Sequence, residues 1–323
     1  MQKLIITVGL PASGKSSGIG KCMDKNEPYI GISRDKEGGK VIDLLPKVEK
    51  AIGLGHSVIV DCTFLTVESR KPFIDVGKEL GVQVDCLWMD AKIEDCQINA
   101  LHRMYDRYGE VFLTPEDIKN HAKAKADPNI FPIAALFKMN KSFEKPTADE
   151  GFDNINRVKF TRVFERQKYN GYSNRALFLD YDGTLRSLPD TATQKYPIKP
   201  SEVIVRPNAK KVLKEYISMG YRLIGVSNQS GIGKGVLTAE QAESCFEETN
   251  RQLGIDIEYS YCSHRIPPAS CYCRKPQAGM AIPYIHKYKL DVPECITVGD
   301  MTSDKTFATR LGMKFVYADE FFR

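Results

Sequence analysis

The chain has 323 residues, a length that favours two domains over one. Charged residues make up 27% of it, hydrophobic residues make up 42%, and the formal net charge is +5, values that are ordinary for a soluble globular protein. No apolar run approaches the length of a membrane span, and Gly9 interrupts the first strand too early for a signal peptide, so we expect a cytoplasmic protein without membrane segments.

Short buried strands alternate with helices in the first half of the chain. The expected strands, rich in apolar or β-branched residues, are Leu4–Val8, Ser57–Asp61, a segment within Gly81–Met89, and Ile155–Phe160. The expected helices are one that runs to about Lys25, then Val41–Gly53, Val67–Leu80, and one that begins at Thr114. This alternation predicts a parallel sheet flanked by helices.

A glycine-bearing loop follows the first strand and opens the next helix. Its sequence, Gly9–Ser16, fits the pattern G-x-x-x-x-G-K-[ST] at every fixed position and in the strand–loop–helix context that the pattern requires. The glycines let backbone N–H groups turn towards a phosphate, Lys15 can reach the β- and γ-phosphates, and Ser16 can bind Mg²⁺. We therefore predict ATP binding, with contacts from Gly9, Ala12, Ser13, Gly14, Lys15, Ser16 and Ser17.

Two carboxylates favour an alcohol over water as the phosphate acceptor. Asp35 follows the first crossover helix, where it could take the proton of an incoming hydroxyl. Asp61 ends a strand that faces the phosphate site, where it could orient Ser16 or the metal. Arg103 and Arg107 lie four residues apart, so on a helix they share one face and could close over the γ-phosphate. Solvated loop acids and a solvated basic helix face are the alternatives.

Four features occur together in the first 160 or so residues. They are the loop Gly9–Ser16, the stretch Ser33–Asp35, the strand end Val60–Thr63, and the pair Arg103 and Arg107 before Gly109. With them, this part of the chain resembles the kinase domain of phage polynucleotide 5′-kinase/3′-phosphatases. The resemblance implies Asp35 as the general base for a 5′-hydroxyl, and Arg107 with Arg103 as a clamp on the ATP phosphates. A phage-encoded protein would act in the host cytoplasm.

One position departs from that family. The family has an arginine three residues beyond the base, which contacts the phosphate of the acceptor nucleotide, whereas this chain has Gly38. Lys36 or Lys40 could substitute, although a lysine offers a point charge and not a two-pronged fork. The departure leaves the acceptor less well defined than the kinase activity.

A polar, turn-rich segment, Val163–Ser173, is the predicted linker, and we place the domain boundary between residues 165 and 166. The alternation then restarts, with short strands expected at Ala176–Asp180, Arg222–Val226, Ile257–Tyr261, Cys295–Val298 and Lys314–Tyr317. Thr238 opens a helix with Gln241 at capping-box spacing. We predict two α/β domains, a P-loop NTPase-type kinase domain over 1–165 and a phosphatase domain over 166–323.

Charged residues follow the strands of the second half in a consistent order. The stretch Asp180–Thr184 places D-x-D-G-T after the first of these strands, Ser227 ends the second, Lys275 comes next, and Asp300 and Asp304 follow the fourth. A single acidic pair in a loop is usually structural. The complete set in this order predicts a phosphatase site.

The residue types suit a covalent mechanism. Asp180 would attack phosphorus to form an aspartyl-phosphate, and Asp182 would protonate the leaving oxygen and later deprotonate water. Ser227 and Lys275 would hold the transferring phosphoryl oxygens. The expected Mg²⁺ ligands are Asp180, the backbone carbonyl of Asp182 and Asp300. Asp304 would also belong to the metal site, by orienting the metal's waters or Lys275.

Residues 172–323 resemble the haloacid dehalogenase (HAD) superfamily, which implies a Rossmann-like α/β domain. Within it, Ser227–Ile232 and Arg274–Met280 are similar to the histidinol-phosphate and heptose-bisphosphate phosphatase branch, near which polynucleotide 3′-phosphatases belong. Only residues 185–226 lie between Thr184 and Ser227, which is too few for a large cap domain. We therefore expect a capless, open site.

Four of the cysteines and histidines have the spacing of a metal site. Cys262 and His264 are followed by Cys271 and Cys273, a set that suits a closed tetrahedral Zn²⁺ site of the structural kind. A similar set marks the heptose-bisphosphate phosphatase branch. The loop runs directly into Lys275, so zinc could fix the approach of that lysine. Core cysteines without zinc are the alternative.

Two functions compete for the whole chain. The first is a nucleic-acid end-healing enzyme that phosphorylates a 5′-hydroxyl and removes a 3′-phosphate, favoured by the domain order, the open phosphatase site and the kinase resemblance. The second is a sugar or nucleoside kinase fused to a sugar-phosphate phosphatase, favoured by the zinc set and Gly38. We predict the first. The sequence leaves open DNA against RNA, single against double strands, and the oligomeric state.

Overall fold

The structure is a computed structural model that describes residues 2–22, 28–162, 171–187, 196–264 and 271–323. The chain divides into two compact units, Met1–Ala100 with Ile118–Arg162 and Leu101–Asp117 with Val163–Arg323. The predicted domain boundary, between residues 165 and 166, lies outside the described residues and stays a prediction. None of the described helices is both long enough and apolar enough to cross a bilayer.

The first sheet has five strands, and they all run parallel. They are β1 (Lys3–Val8), β2 (Tyr29–Ser33), β3 (Ser57–Asp61), β4 (Gln83–Asp90) and β5 (Asn154–Lys159), in the order β2-β3-β1-β4-β5. The central strands read as apolar runs because helices cover both faces of such a sheet. The strand β2 was not predicted; it is an edge strand that contains Gly31 and buries only Ile32.

Helices connect these strands. The α-helices of this part are α1 (Lys15–Cys22), α2 (Arg34–Glu37), α3 (Leu45–Gly53), α4 (Val67–Glu79), α5 (Ile93–Tyr108), α6 (Pro115–Asn120) and α7 (Ile133–Lys141). Single 3₁₀ turns lie at Val41–Leu44, Ala124–Ala126 and Ala148–Glu150. The segment predicted as one helix over Val41–Gly53 is thus a 3₁₀ turn followed by α3, which has Pro46 in its first turn, where a missing N–H removes no helical hydrogen bond.

The second sheet also has five parallel strands. They are β6 (Arg175–Leu179), β9 (Tyr221–Asn228), β10 (Glu258–Cys262), β11 (Ile296–Gly299) and β12 (Lys314–Tyr317), in the order β10-β9-β6-β11-β12. A small antiparallel pair, β7 (Arg186–Ser187) and β8 (Ile204–Val205), follows β6. All five predicted strands are present, each within two residues of its expected ends.

The remaining helices pack on this second sheet. They are α8 (Ala209–Ser218), α9 (Ser230–Gly233), α10 (Ala239–Leu253), α11 (Ile282–Lys287), α12 (Thr302–Leu311) and α13 (Ala318–Phe321), with 3₁₀ turns at Pro200–Glu202 and Val292–Glu294. Thr238 caps α10 by accepting a hydrogen bond from the Gln241 N–H, as the spacing predicts. Parallel strands end at the same edge of their sheet, so the residues that follow β6, β9 and β11 meet at one place.

Candidate phosphoryl-transfer sites

The loop Gly9–Ser16 connects the central strand β1 to α1, as the motif requires. Gly9 and Gly14 have φ values of +151° and +93°, and a Cβ on Gly9 would lie 2.8 Å from the Met89 carbonyl oxygen. Both positions therefore need glycine. The Lys15 ammonium donates hydrogen bonds to the Gly9 and Leu10 carbonyls at 3.0 and 2.8 Å, so it rests on the loop that would surround a phosphate.

The end of β3 brings a carboxylate to this loop. The Ser16 hydroxyl donates a hydrogen bond to Asp61 Oδ2 at 2.9 Å, although the two residues are 45 positions apart. Asp61 is the last residue of β3, which pairs directly with β1. The pair therefore has the arrangement of a serine hydroxyl and a carboxylate that hold Mg²⁺ beside a nucleotide.

Asp35 lies at the same edge of the first sheet. It is exposed in the short helix α2, and the register that pairs Ser33 with Asp61 brings the end of β2 beside the end of β3. Gly38 ends α2 with a φ of +73°, and its N–H donates to the Arg34 carbonyl at 2.8 Å. Glycine at this position suits a left-handed turn that an arginine would adopt only with strain.

Arg103 and Arg107 are both on α5, four residues apart, so they share one face of a helix. Arg103 is half-buried and Arg107 is exposed. Their role as a clamp on the ATP phosphates stays a prediction.

Four charged residues of the predicted phosphatase site meet at the end of the second sheet. Asp180 follows β6, and Asp300 and Asp304 follow β11, with carboxylate oxygens that all lie within 4.8 Å of one another. The buried Lys275 ammonium lies 2.8 Å from Asp180 Oδ1 and 2.6 Å from Asp304 Oδ1, and it donates to the Val226 carbonyl at 2.7 Å.

The electrostatics of this cluster suit a divalent cation. Burial raises the pKa of the Asp180 carboxyl to about 7, against the opposing effect of the Lys275 ammonium. Burial also raises the pKa of Asp300, and the nearby Asp304 carboxylate adds to that effect. Burial acts to lower the pKa of Lys275, but the Asp180 and Asp304 carboxylates outweigh it, so that pKa is raised. Three carboxyl groups face one ammonium, so a divalent cation such as Mg²⁺ would stabilise their ionised forms.

Two further observations fit a bound metal and phosphate. The Thr184 hydroxyl is buried and has no hydrogen-bond partner among the described residues, so it is available to a ligand. A Cβ on Gly183 would lie 2.3 Å from Asp300 Oδ2, so glycine lets the Asp300 carboxylate approach the loop that follows Asp180.

Asp182 and Ser227 are connected through a residue that the sequence analysis did not select. The Gln229 side chain donates to Asp182 Oδ2 at 2.7 Å and to the Ser227 hydroxyl at 2.9 Å. Arg186 donates to the other oxygen of Asp182 at 2.8 Å. Arg206 donates to the Gly183 and Thr184 carbonyls at 2.6 and 2.8 Å. Gln229 lies within the stretch Ser227–Ile232, which resembles a phosphatase motif. No signal in the sequence distinguishes Arg186 and Arg206 from surface arginines.

The predicted zinc ligands form one cluster, with ligand atoms within 4.8 Å of one another. Cys262 Sγ lies 3.8 Å from Cys271 Sγ and 3.2 Å from Cys273 Sγ, and His264 Nδ1 lies 3.6 and 3.3 Å from Cys262 and Cys273. Four soft ligands at these separations surround a space that suits tetrahedral Zn²⁺. The cluster is adjacent in sequence to Lys275.

Other cysteines have a different environment. Burial raises the pKa of Cys86, Cys96 and Cys295 to about 12, so these thiols remain protonated and pack as small apolar groups. Cys245 is buried in α10, and burial raises its pKa to about 11. These four residues therefore occupy the core.

Comparison with known proteins assigns both halves of the chain to families. Residues 4–146 match the family described as AAA domain, and residues 176–322 match the family described as Polynucleotide kinase 3 phosphatase. A probable D-glycero-D-manno-heptose-1,7-bisphosphate 7-phosphatase of Thermoplasma volcanium is 38% identical over 147 residues, which are 44% of this chain and 96% of that protein. The chain therefore combines an AAA domain with a polynucleotide kinase 3 phosphatase domain. It is an enzyme with a kinase domain and a phosphatase domain.

A second relative and two solved structures match at lower identity. A D-glycero-beta-D-manno-heptose-1,7-bisphosphate 7-phosphatase of Helicobacter pylori is 29% identical over 41% of this chain and 76% of its own length. Among solved structures, the Pnkp1/Rnl/Hen1 RNA repair complex matches 98% of this chain and 95% of its own chain, at 16% identity and a TM-score of 0.31. The D,D-heptose 1.7-bisphosphate phosphatase from B. bronchiseptica, complexed with magnesium and phosphate, matches 44% of this chain and 79% of its own chain, at 23% identity and a TM-score of 0.39.

These findings confirm several predictions. The α/β fold class, with a P-loop domain followed by a HAD-type domain, is confirmed, and so is the domain architecture of a polynucleotide kinase/phosphatase. The kinase family implies ATP, and the HAD-type phosphatase implies Mg²⁺. The fusion of a sugar kinase to a sugar-phosphate phosphatase is not favoured. The roles of the individual site residues, the zinc ion and the compartment stay predictions.

Proposed function

We propose that this chain heals nucleic-acid ends by transferring the ATP γ-phosphate to a 5′-hydroxyl and by hydrolysing a 3′-phosphate. The observation that carries the proposal is the presence, in one chain, of a P-loop domain and of residues 176–322, which match the polynucleotide kinase 3 phosphatase family. Two activities on one nucleic-acid break need two separate sites, and the chain has a candidate set of residues for each.

In the kinase reaction, the loop Gly9–Ser16 and Lys15 hold the β- and γ-phosphates of ATP. The Lys15 ammonium exchanges its contacts with the Gly9 and Leu10 carbonyls for the phosphates. Asp35 accepts the proton of the 5′-hydroxyl as that oxygen attacks the γ-phosphorus, and its exposed position at the edge of the sheet leaves room for a polymer end.

In the phosphatase reaction, Asp180 attacks the 3′-phosphate and Asp182 gives a proton to the leaving 3′-oxygen. Water then attacks the aspartyl-phosphate, Asp182 takes a proton from that water, and phosphate leaves. Lys275 and Ser227 hold the phosphoryl oxygens. Asp180, Asp300 and the Asp182 carbonyl would hold Mg²⁺, with Asp304 close by, and the ion would supply positive charge that screens the substrate's phosphate from the nucleophile.

We further propose that Cys262, His264, Cys271 and Cys273 bind a structural Zn²⁺. The cluster is supported by its four ligand types and by their mutual distances. Because Cys273 lies two residues before Lys275, the ion would hold the loop that brings this lysine between two carboxylates. Thiolate ligands and ATP suggest a reducing compartment, the cytoplasm, and the described cysteines form no disulfide.

The test is one oligonucleotide that carries a 5′-hydroxyl and a 3′-phosphate, prepared both as DNA and as RNA, with ATP and Mg²⁺. We expect it to gain a 5′-phosphate and to lose its 3′-phosphate. Heptose 1,7-bisphosphate is the comparison substrate, because relatives of the second domain are named for it. Turnover of the heptose bisphosphate without any change at either oligonucleotide end would overturn the proposal.

A further inference from the structure

Two buried side chains hold the Asp182 carboxyl from both sides. The Arg186 Nε donates to Oδ1 at 2.8 Å, and the Gln229 Nε2 donates to Oδ2 at 2.7 Å. Arg186 is 1% exposed and Gln229 is 3% exposed, so both donors are shielded from bulk water. A carboxyl with a donor on each oxygen cannot rotate without losing one of them. The orientation of Asp182 is therefore fixed before a substrate binds.

Arg186 is itself fixed by the helix behind it. Its Nη1 donates to the Thr249 hydroxyl at 3.1 Å, and that hydroxyl donates to the Cys245 carbonyl at 2.7 Å, within α10. The guanidinium lies over the rings of Tyr181 and Phe246, with centroid distances of 5.2 and 4.8 Å. Because burying a charge costs free energy, this arginine needs these partners, and among them only the Asp182 carboxylate carries the opposite charge.

We propose that Arg186 is a positioning residue for proton transfer by Asp182, with Gln229 as its partner on the other oxygen. This inference rests on the proposed role of Asp182 as the proton donor. In the first step, the Asp180 oxygen forms a bond to phosphorus while the bond from phosphorus to the leaving oxygen breaks. That oxygen keeps the electron pair and takes the proton of Asp182. The carboxylate that remains on Asp182 is stabilised by the Arg186 guanidinium.

This stabilisation grows as the proton leaves, so it acts on the transition state more than on substrate binding. Its importance depends on the leaving group. An alkoxide, such as the 3′-oxygen of a nucleotide, leaves only with a proton, whereas p-nitrophenolate is stable as an anion. Loss of Arg186 should therefore slow alkyl phosphates strongly and p-nitrophenyl phosphate weakly, and the difference should be in kcat/KM, which reports on formation of the aspartyl-phosphate.

The test is Arg186→Met, together with Arg186→Lys, in the full chain. We expect Arg186→Met to lower kcat/KM for an oligonucleotide 3′-phosphate by roughly 10²-fold and for p-nitrophenyl phosphate by about threefold or less. Arg186→Lys should recover about tenfold of the loss on the oligonucleotide, because it restores the charge without the fixed fork. If Arg186→Met does not fold, as judged by circular dichroism, Arg186→Lys alone carries the test through the same difference between substrates.

Arg206 provides the matched control. It is also an arginine that contacts this loop, but it donates to the backbone carbonyls of Gly183 and Thr184 and not to Asp182. Arg206→Lys should lower kcat/KM for both substrates by a similar factor, since it disturbs the loop and not the proton transfer. Equal losses on both substrates for the Arg186 variants, or no loss on either, would show that Arg186 is only structural.

The substrate of the wild-type enzyme is tested separately from this inference. If the wild-type enzyme hydrolyses heptose bisphosphate and not the oligonucleotide, the proposed function fails, and the heptose bisphosphate takes the place of the alkyl phosphate in the same comparison. A selective loss on it supports the role of Arg186, and an equal loss overturns that role.

Discussion

The two phosphoryl-transfer sites hold their charged groups in opposite ways. In the P-loop site, Lys15 rests on two backbone carbonyls, and the proposed base Asp35 is exposed. In the phosphatase site, Lys275 and the carboxylates of Asp180 and Asp304 are buried and paired with one another. A kinase site receives its negative charge from the nucleotide, so its cation needs only temporary partners. A site whose own carboxylate is the nucleophile has to keep that charge paired from the start.

The largest effect should come from removal of the buried nucleophile. Asp180→Asn keeps the shape of the side chain but cannot form the aspartyl-phosphate, so we expect phosphatase activity to fall on the order of 10⁴-fold or more. The kinase activity of the same preparation is the control and should be unchanged. Release of phosphate from a 3′-phosphorylated oligonucleotide measures the first, and transfer of labelled phosphate from ATP measures the second. Loss of both activities would contradict two separate sites.

The reverse change removes the exposed base. Asp35→Asn should lower kinase activity by roughly 10²–10⁴-fold, the contribution that general-base catalysis usually makes, and should leave the phosphatase unchanged. Glu37→Gln is the matched control, because Glu37 is an acid of the same short helix that pairs with Lys47. Both variants are assayed by 5′-end labelling. If Glu37→Gln lowers the activity as much as Asp35→Asn, the assignment of the base is wrong.

Removal of a zinc ligand should affect the phosphatase site and not the kinase site. Cys271→Ser removes one of four ligands, so we expect loss of bound zinc, a lower melting temperature and a phosphatase activity lowered by roughly 10–100-fold, with the kinase retained. Cys86→Ala, a buried cysteine of the first sheet, is the control and should keep its zinc. Elemental analysis and activity assays measure these outcomes. Pure, folded wild-type protein without zinc would remove the proposed ion.

The smallest effect is expected when the capping threonine of a helix is replaced by alanine, a substitution that can be made in each of the two units. Thr66 caps α4 and Thr238 caps α10, and each hydroxyl accepts a hydrogen bond at 3.2 Å from the N–H three residues on. Thr66→Ala should lower the free energy of unfolding of the first unit by about 1 kcal/mol. Trp88, the only tryptophan, lies in β4 and reports on that unit through its fluorescence during denaturation.

Thr238→Ala is the control for this measurement. If the second unit unfolds separately, Thr238→Ala should leave the denaturant midpoint of the Trp88 fluorescence transition unchanged. Phosphatase activity should then be lost at a lower denaturant concentration than in the wild-type protein. A Trp88 transition that does not respond to Thr66→Ala would show that the cap contributes nothing to the first unit.

Much of the fold was predictable from local sequence patterns. The strands β1 and β3 are where apolar runs predict them, because a buried parallel strand has to be apolar on both faces, and the helix α4 is where its helical pattern predicts it. The edge strand β2 was missed, since one covered face gives it too few apolar residues for a signal. The helix predicted over Val41–Gly53 begins later because the chain first makes a 3₁₀ turn.

The sequence by itself determined the chemistry of this protein. The loop Gly9–Ser16 and the stretch Asp180–Thr184 are local, and their spacing predicts a phosphate site wherever a strand precedes them. Only the tertiary structure decided which side chains surround Asp182. In the sequence, Arg186 looks like a surface arginine. In the structure it is buried against Thr249 and Phe246, which lie about 60 positions further along the chain. Burial and ion pairing depend on packing between distant segments, which no local pattern records.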